Sequence, residues 1–174
     1  MKLAAFLRGI NVGGKHQIRM ADLVGLVESA GMTNVKTVLA SGNLIFDSTL
    51  RPDAAASKLE KAIEQEYGFP VPVIVRSSAE LTALVHTDPF RAIKKNDHSK
   101  LYVSFLPKKQ KSQTTQFDPP KYVTVVFADQ QFLCMVLNIS NGSGTPELMS
   151  LLDKHYGKSV TTRSWETLIK CIAA

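Results

Sequence analysis

The stretch PDAAASKLEKAIEQEYGFPVPVIV, residues 52–75, opens on a proline and sets Ala56, Leu59, Ile63 and Tyr67 at helical spacing. It stops at Gly68 and then runs into an apolar strand. Residues 145–160, TPELMSLLDKHYGKSV, repeat the plan: Pro146 in the first turn, Tyr156-Gly157 at the end, and Val160 three residues on, as Val71 follows Gly68. Helix followed by strand in two places asks what precedes each.

Upstream of the first copy come a strand over 3–8, a helix over 20–30 with Met20, Leu23, Val24 and Val27 on one face, and strands near 35–39 and 43–46 around the turn ASGN. Upstream of the second come the strand LYVSFL (101–106), a weak polar helix or loop over 108–116, and the strands YVTVVF and FLCMVLN around ADQQ. Thr145 reads as the cap of the helix that follows. The order β-α-β-β-α-β, met twice, predicts an α+β protein of two tandem ferredoxin-like repeats with antiparallel sheets and extra helices. Residues 1–76 form the first repeat, and 77–99 hold a connecting helix, opened by the capping box SSAE, with a basic linker. Residues 100–174 form the second repeat with a C-terminal helix. VTVVF and FLCMV are apolar on both faces, so each sheet is expected to be covered on both sides.

At 174 residues, 44% hydrophobic and 21% charged, the composition is that of a globular protein. No stretch approaches the roughly 20 apolar residues of a membrane helix, and the apolar start MKLAAFL is broken by Arg8 and Asn11 without a cleavage site. These features predict a cytoplasmic protein without a membrane partner. Cys134 and Cys171 sit in apolar segments and read as buried hydrophobes. His16, His86, His98 and His155 lack metal-ligand spacing, so neither a metal nor a cofactor is expected.

The formal charge of +6 equals the excess over residues 91–111, where Arg91, Lys94, Lys95, Lys100, Lys108, Lys109 and Lys111 face one acid, Asp97. Such a strip is commonly solvated surface, and it also suits a nucleic-acid-binding module with Phe90, Tyr102 and Phe105 as stacking partners. A protein-interaction or homo-oligomer scaffold is a further alternative, with the oligomeric state open.

FLRGINVGGKHQIRM, residues 6–20, concentrates Gly9, Gly13 and Gly14 with Arg8, Asn11, Lys15 and His16. In the predicted topology the exit of the first strand, the start of the first helix and the turn between strands two and three share one end of the sheet. Arg8, Asn11 and Lys15 should therefore stand beside Ser41, Gly42 and Asn43. Glycines permit close approach to backbone N–H groups, a helix N-terminus is partly positive, and arginine and lysine attract phosphate or carboxylate. The expected ligand is a small anion. The spacing is not that of a phosphate loop, since His16 stands where a magnesium-binding hydroxyl belongs. Asp47, His16 and Asp22 are the nearby acid or base candidates, and no catalytic constellation is complete. In TTRSWETL (161–168), Thr162 and Ser164 are candidate caps of the last helix. Arg163 would add a second guanidinium if the second repeat brings it to the same end; Trp165 reads as core.

LRGINVGGK (7–15), SGN (41–43) and TTRSWETL, in this order, resemble the bacterial family called domain of unknown function 1697 over nearly the whole chain. The resemblance implies a cytoplasmic protein of two similar α+β halves and no established activity, substrate or cofactor. By motif it marks Arg8, Gly9, Asn11, Gly13, Gly14, Lys15, Ser41, Gly42, Asn43, Thr162, Arg163 and Trp165. Ser164 stands where family members commonly carry asparagine.

Overall fold

The computed structural model describes residues 1–94, 96–107, 117–138 and 144–174. The first half holds β1 (Lys2–Leu7), α1 (Met20–Ser29), β2 (Thr33–Thr37), β3 (Asn43–Asp47), α2 (Pro52–Tyr67), β4 (Val73–Ser77) and α3 (Ser78–Thr87). The second holds β5 (Ser99–Phe105), β6 (Val123–Ala128), β7 (Phe132–Asn138), α4 (Gly144–Tyr156), β8 (Thr161–Ser164) and α5 (Trp165–Ala173). The helix or loop expected over 108–116 lies outside the described residues. The chain divides into two compact units, Met1–Ala83 with Ile169–Ala174, and Leu84–Leu168.

Each unit is built on a four-stranded antiparallel sheet, ordered β2-β3-β1-β4 in one and β6-β7-β5-β8 in the other. With five helices among the described residues, the fold is α+β. The strand exits correspond: the Leu7 amide donates to Gly42 O at 2.8 Å beyond the Phe6–Asn43 pair, and the Leu106 amide donates to Gln131 O at 2.9 Å beyond the Phe105–Phe132 pair.

In the first unit Leu3, Ala5 and Leu7 of β1 pack with Leu44, Phe46, Val73 and Val75 against Leu23, Val27, Leu59 and Ile63 of α1 and α2. Alternation sends Ala4, Phe6, Ile45 and Ile74 to the opposite face, and these are buried too. In the second unit Leu133, Met135 and Leu137 pack with Val123 and with Leu148 and Leu152 of α4, while Leu101, Val103, Cys134 and Val136 are buried on the other face. Strands apolar on both sides are thus buried on both sides, apart from the edge strand β6. There Val125, Val126 and Phe127 are only half-buried, and a register shift between Val125 and Phe127 breaks the alternation expected of a covered strand.

Local signals behave as their chemistry requires. Pro52 starts α2, and left-handed Gly68 and Gly157 end α2 and α4 by donating to Glu64 O and Asp153 O, each at 2.9 Å. Ser77 and Glu80 form a complete capping box: the Ser77 amide donates to Glu80 Oε2 at 2.8 Å and the Glu80 amide to Ser77 Oγ at 3.2 Å. Ser164 caps α5 by accepting from the Thr167 amide at 3.2 Å. Thr162 is no cap; it pairs with the Ser104 hydroxyl at 2.7 Å across the sheet. Thr145 lies inside α4, which begins at Gly144. No helix among the described residues is long and apolar enough to cross a membrane.

Candidate functional site

β1 delivers the chain to the corner at Leu7, and the Arg8 amide is tied to Pro72 O at 3.0 Å. Gly9, at positive φ, turns the chain so that Ile10 points inward and is buried. Ile10 packs where the SGN turn comes closest. A Cβ on Gly42 would lie 2.8 Å from Ile10 Cδ1 and 2.9 Å from Leu7 Cβ, and Gly42 also holds a φ of 79°. Glycine is required there for space and for conformation.

Asn11 holds three segments together. Its Nδ2 donates to Ile18 O and to Ala40 O, both at 3.0 Å, and its Oδ1 accepts from the Ile18 amide at 2.9 Å. The start of the loop, the approach to α1 and the β2–β3 turn are therefore fixed by one side chain. Asn43, fully buried, donates through Nδ2 to Val38 O at 2.7 Å and Ser41 Oγ at 3.0 Å. Both asparagines thus serve the frame of the corner. At these two residues the corner is a tightly folded loop that satisfies its own backbone.

Beyond Asn11 the loop is a small hairpin. The Lys15 amide donates to Val12 O and the Asn11 amide to His16 O, each at 3.1 Å, with Gly13 and Gly14 at φ 58° and 75° between them. Positive φ at both central positions is the demand of a type I′ turn, and Gly-Gly is a sequence signal for it. That hairpin is absent from the elements expected from sequence although the dipeptide was there to read. His16 stacks on Phe69 with ring centroids 4.3 Å apart, anchoring its base. Gly13, Gly14 and Lys15 are exposed, and none of the hydrogen bonds among the described residues uses the two glycine amides. Arg8 is half-buried at the root of the loop.

The β2–β3 turn differs from the expected short ASGN turn. β2 ends at Thr37, and Leu39 flips to a φ of 61° so that the chain can close through the Val38 amide onto Asn43 O at 2.9 Å. The positive end of α1 is already met by a carboxylate. Arg19 Nε donates to Asp22 Oδ2 at 2.8 Å, and this hydrogen bond with the adjacent guanidinium charge holds the Asp22 carboxyl below the usual carboxylate range. Asp22 thereby places a negative charge in the first turn, at the helix end expected to favour an anion.

The structure brings Leu7, Ile10 and Asn11 against Ala40 and Gly42, with Arg8 and Gly9 between those contacts in sequence and Gly13, Gly14 and Lys15 on the hairpin that continues from them. Arg163 belongs to the second unit, on β8, where it is half-buried and Nη1 donates to Thr162 O at 2.9 Å. Trp165 is half-buried and meets Phe90 edge to face at 4.9 Å. Of the proposed stacking aromatics, Phe90 and Phe105 are buried and only Tyr102 is partly accessible, so the apolar core has claimed two of the three. Arg91, Lys94 and Lys100 are exposed; Lys95, Lys108, Lys109 and Lys111 lie outside the described residues. Both cysteines are buried, and burial pushes the Cys134 thiol up to about 12.

Residues 1–130 match the family described as Protein of unknown function (DUF1697). The chain belongs to that family. Among solved structures, this DUF1697 chain is similar to the conserved bacterial protein SP0830 from Streptococcus pneumoniae. The two share 22% identity and a TM-score of 0.75, over 99% of this chain and 97% of that one. The likeness concerns the fold. No curated protein matches the sequence. DUF1697 is a family of unknown function, so any activity has to be argued from the corner itself.

Proposed function

We propose that the corner made by loop 8–15 and the SGN turn, residues 41–43, binds a small molecule through a phosphate or carboxylate group, and that the protein is a cytoplasmic ligand-binding protein. The observation that carries the reading is how polar groups are distributed in the corner. Asn11 and Asn43 close the frame internally, while the exposed Gly13 and Gly14 amides and the Lys15 ammonium stand on the hairpin with the Arg8 guanidinium at its root. Preformed backbone donors beside cations suit an oxyanion, because little side-chain freedom is lost on binding.

The same proposal takes the two units as ferredoxin-like repeats, residues 1–76 and 100–174, joined through 77–99. Equal strand order and the matched bonds from Leu7 to Gly42 and from Leu106 to Gln131 support it.

A thermal-shift series with inorganic phosphate, nucleotides, sugar phosphates and carboxylates tests the ligand reading. A ligand of this site stabilises the wild type saturably, by about 2.7 kcal/mol at a hundredfold excess over Kd, and the Arg8→Ala, Lys15→Ala double variant loses most of that gain. The reading falls if no anion stabilises the wild type more than the double variant.

A further inference from the structure

Val12 and Leu39 are large apolar side chains that remain 68% and 49% exposed, and only Met1 and Ile169 join them among the described residues. Val12 directly follows Asn11 and precedes the glycine turn. Leu39 directly precedes Ala40, whose carbonyl accepts from Asn11 Nδ2 at 3.0 Å. The two exposed apolar residues therefore stand one position either side of a single hydrogen bond, on the two segments that form the corner.

Local stability does not account for Leu39. Its φ of 61° is a region that leucine adopts only at a cost, whereas asparagine or glycine would close the same turn with less strain. Neither Val12 nor Leu39 belongs to the core packed beneath the corner. Lys15, whose amide donates to Val12 O at 3.1 Å, brings a positive charge beside Val12 and favours a negatively charged occupant.

We infer that the ligand is an amphiphilic anion, a phosphate or carboxylate carrying an alkyl or acyl chain that lies across Val12 and Leu39. The inference rests on the anion reading above and narrows it. The head meets Lys15 and the glycine amides; the first carbons of the chain cover the two apolar side chains. Free alkyl phosphates and anionic lipid headgroups share this chemistry.

Isothermal titration of the full chain with inorganic phosphate, ethyl, butyl and hexyl phosphate reads the inference directly. Affinity should rise by roughly threefold to fourfold for each methylene that is covered, levelling off once the chain outgrows the two side chains. Val12→Ser and Leu39→Asn should flatten that series and leave inorganic phosphate binding in place. Leu39→Asn should also melt higher than the wild type, because asparagine tolerates the backbone; a lower melting point would make Leu39 a structural residue and overturn the inference. Co-sedimentation with phosphatidylglycerol vesicles, set against phosphatidylcholine vesicles, separates the sources. Capture by the anionic vesicles makes the amphiphile a bilayer lipid, and a chain-length series without capture makes it a free molecule. Phosphate binding with no chain-length dependence sinks this inference and spares the anion reading. Silence with every phosphate and with the matching carboxylates, acetate, butyrate and hexanoate, sinks both.

Discussion

At the exit of β1 the Leu7 amide reaches Gly42, and at the exit of β5 the Leu106 amide reaches Gln131, yet the two turns that receive these bonds are made of opposite chemistry. In the β6–β7 turn Asp129 Oδ1 accepts from the amides of Gln131 and Phe132, both at 2.7 Å. A carboxylate of the chain itself thus holds that turn. The β2–β3 turn carries no acid from Val38 to Asn43. Its frame is closed by asparagine amides that donate to carbonyls, Asn43 to Val38 and Asn11 to Ala40, and by a glycine against which Ile10 is packed. One chain path can therefore have its backbone donors answered by a carboxylate, as at Asp129, or be framed by neutral groups, as at the β2–β3 turn, with the exposed Lys15 and the Gly13 and Gly14 amides on the adjoining hairpin. This contrast favours the first corner over the second for the proposed anion.

The largest test of the contrast is at the matched positions 42 and 131. Gly42→Ala forces a methyl onto Ile10 and Leu7 at a positive φ and should cost about 3 kcal/mol in urea unfolding, while Gln131→Ala should cost less than about 1 kcal/mol. Equal losses would erase the difference between the corners. Next in size are the side chains that hold each frame. Asn11→Ala removes three hydrogen bonds and should cost about 2 kcal/mol, against about 1 kcal/mol for Asp129→Ala, which frees two amides at an exposed turn.

The smallest expected effect concerns Asp22. Its carboxyl is held low by Arg19, so the unfolded chain takes up a proton at higher pH than the folded chain does. The pair's contribution is complete above the ordinary carboxylate range and is lost as pH falls through the lowered value. Thermal melts should show a slight excess acid sensitivity of the wild type over Asp22→Asn, fading with salt because both groups are exposed. Identical acid limbs would show that the pair contributes nothing.

The strands, the helix stops at Gly68 and Gly157 and the Ser77–Glu80 box were legible because each depends on chemistry within a few residues. The meeting of loop 8–15 with the SGN turn was legible from topology. The function of Asn11 was not, because its acceptor at Ala40 lies 29 residues away and only folding reveals that the side chain is taken. Leu39 read as the end of a strand since Val-Leu-Ala is apolar; closing the turn onto Asn43 overrode that preference. In VTVVF, composition spoke for a covered strand, while pairing on one side only made β6 an edge. Phe90 and Phe105 were offered to nucleobases, and hydrophobic burial took them first.

The contact of Ile10 beneath Gly42 has a mechanical consequence. With no room for even a methyl group between them, the root of the loop cannot slide along the turn, so Ile10 and the β3 end have to move as one piece. A displacement at Ile10 would therefore pass straight into the central strand pair, β1 and β3.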